Sequence, residues 1–273
     1  MSGKIALIGF GEAGSGFAAA AGWDADACAF DIAPDRADAM QDLGVRCAPG
    51  LGHALADASL VLSLVTADAA FDVAKLAAPL LADGALFCDM NSVAPQTKRA
   101  AADAVEAAGS RYADVAVMAP VHPARLNVPL LVSGRAAKDA AEALSRAGFA
   151  NIRGVGDEVG RASAIKMIRS VMVKGIEALT AEMMLAATQA DVVDEVLASL
   201  DASEKDWGWE KRAAYNLERM TTHGLRRAAE MEESAKTLTG MGVEPVMTNG
   251  TVRRQRELAG AETIYPAERS KPA

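Results

Sequence analysis

A short apolar run, Lys4-Ile5-Ala6-Leu7-Ile8, passes directly into Gly9-Phe10-Gly11-Glu12-Ala13-Gly14 and an Ala-rich stretch, and Asp31 follows about 20 residues on. Three spaced glycines alone say little. A strand before them, a helix after them and an acid at the end of the next strand make the pattern specific for a dinucleotide site. Gly9 permits the tight turn, Gly11 lets the backbone approach a pyrophosphate, and Gly14 allows close packing of the helix. The helix N-terminus offers free N–H groups and partial positive charge to phosphates. Phe10, Glu12 and Ala13 complete the loop, and Glu12 is expected to turn its carboxylate to solvent. Asp31 is placed to accept hydrogen bonds from ribose hydroxyls and to repel a 2′-phosphate, which favours NAD; Arg36 nearby keeps NADP use open. The bland alternative is that Asp31 merely leads into the next helix. Val65 and Thr66, where another strand ends, are counted with the cofactor site.

The 273 residues are 51% hydrophobic with a net charge of −8, enough for a sizeable core and unfavourable for generic nucleic-acid binding. The chain enters a strand within four residues and has no long uncharged apolar run, so neither a signal peptide nor membrane association is expected, and a cytoplasmic location follows. Cys28, Cys47 and Cys88 are odd in number and lack metal spacing, so buried reduced thiols and no metal are expected.

Strand-like and helix-like segments alternate as far as about Arg153. Strands are expected at Lys4–Ile8, Ala27–Asp31, Ser59–Val65, Ala85–Asp89, Arg111–Met118 and Val128–Ser133, with helices at 35–43, 68–81, 95–108 and 136–147 between or after them. Beyond Gly160 strand signals vanish, and helices are expected over 159–190, 191–200, 203–221, 224–238 and 245–258, with His223-Gly224 as a helix boundary. The fold class is therefore α/β: a Rossmann-type doubly wound parallel sheet over residues 1–157, then an all-helical substrate and dimerisation domain over 158–273. The last dozen residues read as a frayed tail. Trp207 and Trp209 suggest packing or an interface.

The first helix of the second half is apolar on nearly all sides, from Ile165 through Met184, and is expected to be buried centrally. Burial by a second copy makes a homodimer through the helical domain the default; a long buried helix within a monomer gives the same pattern. Within it Lys166, Arg169 and Ser170 share one face, with Lys174 a turn further. These cations either snorkel to solvent or serve a site. Desolvation and a neighbouring guanidinium would lower a lysine pKa, as a neutral-pH general acid/base requires.

Gly9 to Gly14, the segment Asp89-Met90-Asn91-Ser92-Val93-Ala94-Pro95 and Gly160-Arg161-Ala162-Ser163-Ala164-Ile165-Lys166 together resemble the β-hydroxyacid dehydrogenases, relatives of 6-phosphogluconate dehydrogenase. The likeness runs in order along the whole chain, and its helical half resembles a branch whose substrates are mostly unassigned. The resemblance implies that Lys166 is the general acid/base and that Asn91 and Ser92 lie near nicotinamide and substrate. The chain departs from the family's pattern at Arg169 and Ser170, where asparagines are usual, and at Met118-Ala119-Pro120, where a Ser-Gly-Gly is usual. The resemblance implies that those positions face substrate. Met118, Arg169 and Ser170 are therefore read as substrate-binding, Arg169 as a clasp for a carboxylate and His122 as a hydrogen-bond donor or acid/base. A small anionic hydroxy acid or its keto or aldehyde counterpart is the expected substrate of this NAD(P)-dependent oxidoreductase. An NADPH-dependent imine reductase and an NAD-sensing protein without turnover remain the alternatives.

Overall fold

The computed structural model describes residues 4–261. The chain divides into two compact units between Ser170 and Val171. The first contains an eight-stranded sheet in the order β3-β2-β1-β4-β5-β6-β7-β8. Its strands are β1 (Lys4–Ile8), β2 (Ala27–Phe30), β3 (Arg46–Cys47), β4 (Ala58–Ser63), β5 (Leu86–Asp89), β6 (Arg111–Val117), β7 (Leu130–Ser133) and β8 (Ile152–Gly154). The continuous apolar run of β1 is explained by burial on both faces. Leu7 packs in the core with Phe17, Met40 and Leu144, from helices α1 (Glu12–Ala21), α2 (Arg36–Asp42) and α6 (Ala137–Arg146). Ala6 and Ile8 pack with Leu55, Ala74 and Ala101, from α3 (Leu51–Leu55), α4 (Ala70–Ala77) and α5 (Pro95–Ala107).

The strand order turns back at β1, which pairs in parallel with β2 on one side and β4 on the other. A crevice outside the carboxyl ends of such strands is where open α/β sheets place ligands. One expectation about the sheet is corrected. β7 runs antiparallel to β6, because the intervening loop holds only the 3-10 turn Arg125–Asn127 and no crossover helix. Strands β3 and β8 and helix α3 are absent from the sequence reading. They have only two, three and five residues, too few to show a period, and β3 is exposed throughout.

Helix α7 (Arg161–Ala190) begins in the first unit. The expected domain division at 157/158 lies earlier than the compact division, because Asp114 of β6 accepts the backbone N–H groups of Gly160 and Ser163 and ties the start of α7 to the sheet. The second unit contains the rest of α7 with α8 (Val193–Ser203), α9 (Trp209–Gly240) and α10 (Val246–Leu258). The expected boundary at His223-Gly224 is wrong: α9 runs through it unbroken. Gly224 serves close helix packing instead, since a Cβ there would lie 2.4 Å from the Gln255 carbonyl oxygen of α10. Glu182 of α7 caps α10, accepting the N–H groups of Met247 at 2.7 Å and Thr248 at 2.8 Å and the Thr248 hydroxyl at 2.6 Å.

Two further expectations are corrected. The apolar side chains of α7 are not centrally buried within the chain; Ile168, Val171, Met172, Ile176, Leu179 and Leu185 are exposed. Cys28 and Cys88 are buried free thiols, but Cys47 is exposed on the edge strand β3. The tail expected over the last dozen residues lies outside the described residues. Among the described residues no helix is long and apolar enough to cross a membrane.

Candidate active site

The glycine turn leaves β1 with Gly9 at φ +93°, a conformation L side chains rarely adopt, and a Cβ there would meet the Leu64 carbonyl oxygen at 2.4 Å. A Cβ on Gly14 would meet the Gly9 carbonyl oxygen at 2.5 Å, so α1 can approach the turn this closely only with glycine there. Gly11 is different: nothing among the described residues lies within 4 Å of its Cβ position. It is also the N-cap of α1 and supplies no side-chain hydrogen bond, so open space adjoins the helix's first N–H groups. Asp31 is fixed at the end of β2, its carboxylate accepting Phe10 N–H at 2.6 Å and Ala33 N–H at 2.9 Å.

Gly9, Gly11, Glu12, Ala13, Asp31, Arg36, Val65 and Thr66 line one cavity of about 480 Å³. Its open glycine cradle and anchored acid fit a dinucleotide: phosphates at the N-terminus of α1, a ribose at Asp31. Glu12 is exposed, as expected. Phe10 is fully buried, so its side chain serves the core and its N–H the anchoring of Asp31.

A second cavity, of about 360 Å³, shares Glu12, Ala13, Leu64 and Val65 with the first. Asn91, Ser92 and Lys166 enter its wall, together with Met90, Val117, Ala119, Pro120 and Val121. Lys166 Nζ donates to Ser92 Oγ at 2.5 Å, joining residues far apart in the chain. The buried Asn91 amide is occupied: Oδ1 accepts Val65 N–H at 2.7 Å, and Nδ2 donates to Ser63 Oγ at 2.9 Å and Asp89 Oδ1 at 2.8 Å. Asn91 therefore holds the ends of β4 and β5 together beneath the cavity.

The other residues expected at the substrate do not line this cavity. Arg169 reaches back towards the Met118 carbonyl oxygen, 3.5 Å away, and Ser170 lies further along α7. His122 is exposed and faces α1, its Nε2 lying 3.5 Å from the position of a Cβ on Gly16. The reason is local: after Pro120 and Val121 supply the wall, the chain turns away, with Arg125 N–H donating to the Val121 carbonyl.

Beneath the cavity lies a charged cluster that the sequence reading missed. Lys98 is wholly buried, with its ammonium 2.9 Å from Asp89 Oδ1 and 3.4 Å from Asp114 Oδ1. Tyr112 Oη donates to Asp89 Oδ2 at 2.7 Å, and burial, then the Asp89 charge, hold this phenol well above its ordinary pKa. Burial, then the same carboxylate, push the Cys88 thiol up to about 12, which rules out a thiolate nucleophile there at neutral pH. Two signals mark the cluster: an acid inside the otherwise apolar Tyr112-Ala113-Asp114-Val115-Ala116, and a lysine spaced on α5 with the buried Ala101, Ala102 and Val105.

Fold and cavities together define a dinucleotide-binding α/β protein with a lysine and a serine in the wall of a cavity adjoining the glycine turn. Residues 4–151 match the NAD-binding domain of 6-phosphogluconate dehydrogenase, and the chain belongs to that family. Residues 187–258 match a domain of unknown function, DUF1932. A conserved hypothetical protein from Sinorhizobium meliloti 1021 is 39% identical over 94% of this chain and 88% of its own, with a TM-score of 0.62. A conserved protein of unknown function, described as structurally similar to 3-hydroxyacid dehydrogenases, is 28% identical over 93% of this chain and 96% of its own, with a TM-score of 0.61. An imine reductase from Myxococcus stipitatus in complex with NADP+ is 18% identical over 95% of each chain, with a TM-score of 0.77, a likeness of fold.

Proposed function

We propose that the protein is an NAD-dependent oxidoreductase that interconverts a small hydroxy acid and its keto or aldehyde counterpart, with Lys166 as general acid/base. The observation that carries this reading is the Lys166–Ser92 hydrogen bond in the wall of a cavity contiguous with the glycine turn. NAD bound at that turn would supply the hydride acceptor. In oxidation the neutral Lys166 amine takes the substrate hydroxyl proton; in reduction the ammonium returns it. Ser92, held by Lys166, orients the reacting oxygen. Arg169, whose guanidinium reaches the backbone of Met118 between the cavity-lining Val117 and Ala119, would supply positive charge for an anionic substrate, and Asp31 supports a preference for NAD over NADP. The family and the likeness to 3-hydroxyacid dehydrogenases support the same class of chemistry.

Lys166 and Ser92 suit an oxygen-centred proton transfer, which favours alcohol and carbonyl substrates over imines. The free thiols support the expected cytoplasmic location. The exposed apolar row of α7 supports a homodimer through the helical half. A panel of hydroxy acids, keto acids and cyclic imines, each with NAD(H) and NADP(H) and followed by nicotinamide absorbance, tests the reading. Turnover of a hydroxy acid or its carbonyl partner is expected. Turnover confined to imines, or cofactor binding with no turnover of any substrate, would contradict it.

A further inference from the structure

We propose that Asp114 is a positioning residue for Lys166, acting through a buried Asp114–Lys98–Asp89 strut that links the Ser92 loop to the first turn of α7. The proposal rests on the reading of Lys166 as the proton-transfer group. All three members of the strut are buried, with side chains at most 1% exposed. Two carboxylates sharing one ammonium are expensive to remove from water, and apolar replacements of such clusters are often no less stable, so stability alone accounts poorly for it. Its connections give a better account. Lys98 Nζ donates to the Asp89 backbone carbonyl at 2.6 Å as well as to its carboxylate, and Asp89 Oδ1 accepts Asn91 N–H at 3.0 Å. That end fixes the segment carrying Asn91 and Ser92.

At the other end Asp114 Oδ2 accepts the N–H groups of Gly160 at 3.1 Å and Ser163 at 3.0 Å, and the Ser163 hydroxyl at 3.0 Å. The Ser133 hydroxyl donates to the same oxygen at 3.1 Å, while Ser133 Oγ accepts Ala162 N–H at 3.0 Å. Lys166 stands three residues after Ser163, on the same side of the helix. Among the described residues Asp114 Oδ1 accepts no hydrogen bond, and it faces the Lys98 ammonium, so the carboxylate is oriented by a charge on one side and a helix terminus on the other. Through this arrangement the separation between Ser92 and Lys166 is set from below the cavity, by groups that never meet substrate.

The test compares the full-length parent with Asp114→Asn, which keeps the shape but turns an amide towards Lys98. Acetylation of Lys166 by acetic anhydride at fixed pH is measured by peptide mass spectrometry as a ratio to exposed Lys75 on the same chain. The ratio is expected to change by about threefold or more, as for residues coupled in one network. With the best substrate of the panel, kcat should fall while KM holds, and adding Asp114→Asn to Lys166→Ala should change the residual rate by less than about twofold. An unchanged labelling ratio in folded Asp114→Asn, or a rate loss that persists in full without Lys166, overturns the proposal. If Asp114→Asn does not fold, Ser163→Ala removes one hydrogen bond to Asp114 and is read by the same ratio. Retained turnover in Lys166→Ala would defeat the catalytic reading alone, since the labelling ratio reports positioning independently of turnover.

Discussion

Gly9 and Lys98 mark the two extremes of what a single residue discloses. Gly9 announces its role because a left-handed turn against the Leu64 carbonyl tolerates no side chain, and the same geometry that excludes a Cβ opens the loop to a ligand. Lys98 conceals its role because an amphipathic helix ordinarily carries lysine on its wet face; only the acids at 89 and 114 on neighbouring strands explain its burial. Cys88 and Cys47 read alike in sequence and differ in environment. Burial and the Asp89 charge keep Cys88 protonated, whereas Cys47 is exposed. Iodoacetamide at about pH 8 is expected to alkylate Cys47 in the native protein and to leave Cys88 intact until denaturant is added. Peptide mass spectrometry reads the outcome, and rapid native labelling of Cys88 would contradict the buried environment described for it.

Whole elements were legible where an apolar period ran long enough. Strands β1, β4 and β5 follow from their apolar runs, and α5 from Pro95 at its first turn. The direction of β7 depends on what its connection lacks, and β3 and β8 on partners supplied elsewhere in the sheet, so none of these was visible locally. Gly224 was misread because a glycine inside a helical pattern resembles a stop, while its function is contact between α9 and α10. Gly224→Ala would force its Cβ into the Gln255 backbone, and a loss of about 1–3 kcal/mol in chemical denaturation is expected. Glu182 makes a pH-dependent contribution to the same unit. Burial raises its pKa, but hydrogen bonds from the Thr248 side chain and the Met247, Thr248 and Val246 backbone outweigh burial, and the net shift is downward. A carboxyl lowered on folding stabilises fully above its unfolded pKa and loses that contribution as pH falls through its folded value. Urea midpoints should therefore decline as pH falls below the ordinary glutamate range of about 4.3, and Glu182→Gln should flatten part of that decline.

For the molecule as a whole, the dinucleotide site was legible because its glycines, helix and acid are close in sequence. The second cavity was only partly so: Ser92 and Lys166 meet across the fold in its wall, whereas Arg169 donates to the Met118 carbonyl and His122 faces α1 where the loop turns away after Val121. The exposed Ile168 and Val171 of α7, at 73% and 76% exposure, argue for cover by a second copy. Sedimentation should show a dimer for the parent and a shift towards monomer for Val171→Glu; a monomeric parent would contradict the proposed assembly. In the proposed reaction the cofactor site and a separate proton-transfer lysine act together, and Lys166→Ala separates them. With NADH affinity followed by nicotinamide fluorescence and turnover by absorbance, Kd should stay within about twofold while kcat falls by about 10²- to 10⁴-fold. Turnover equal to that of the parent at unchanged NADH affinity would contradict the account.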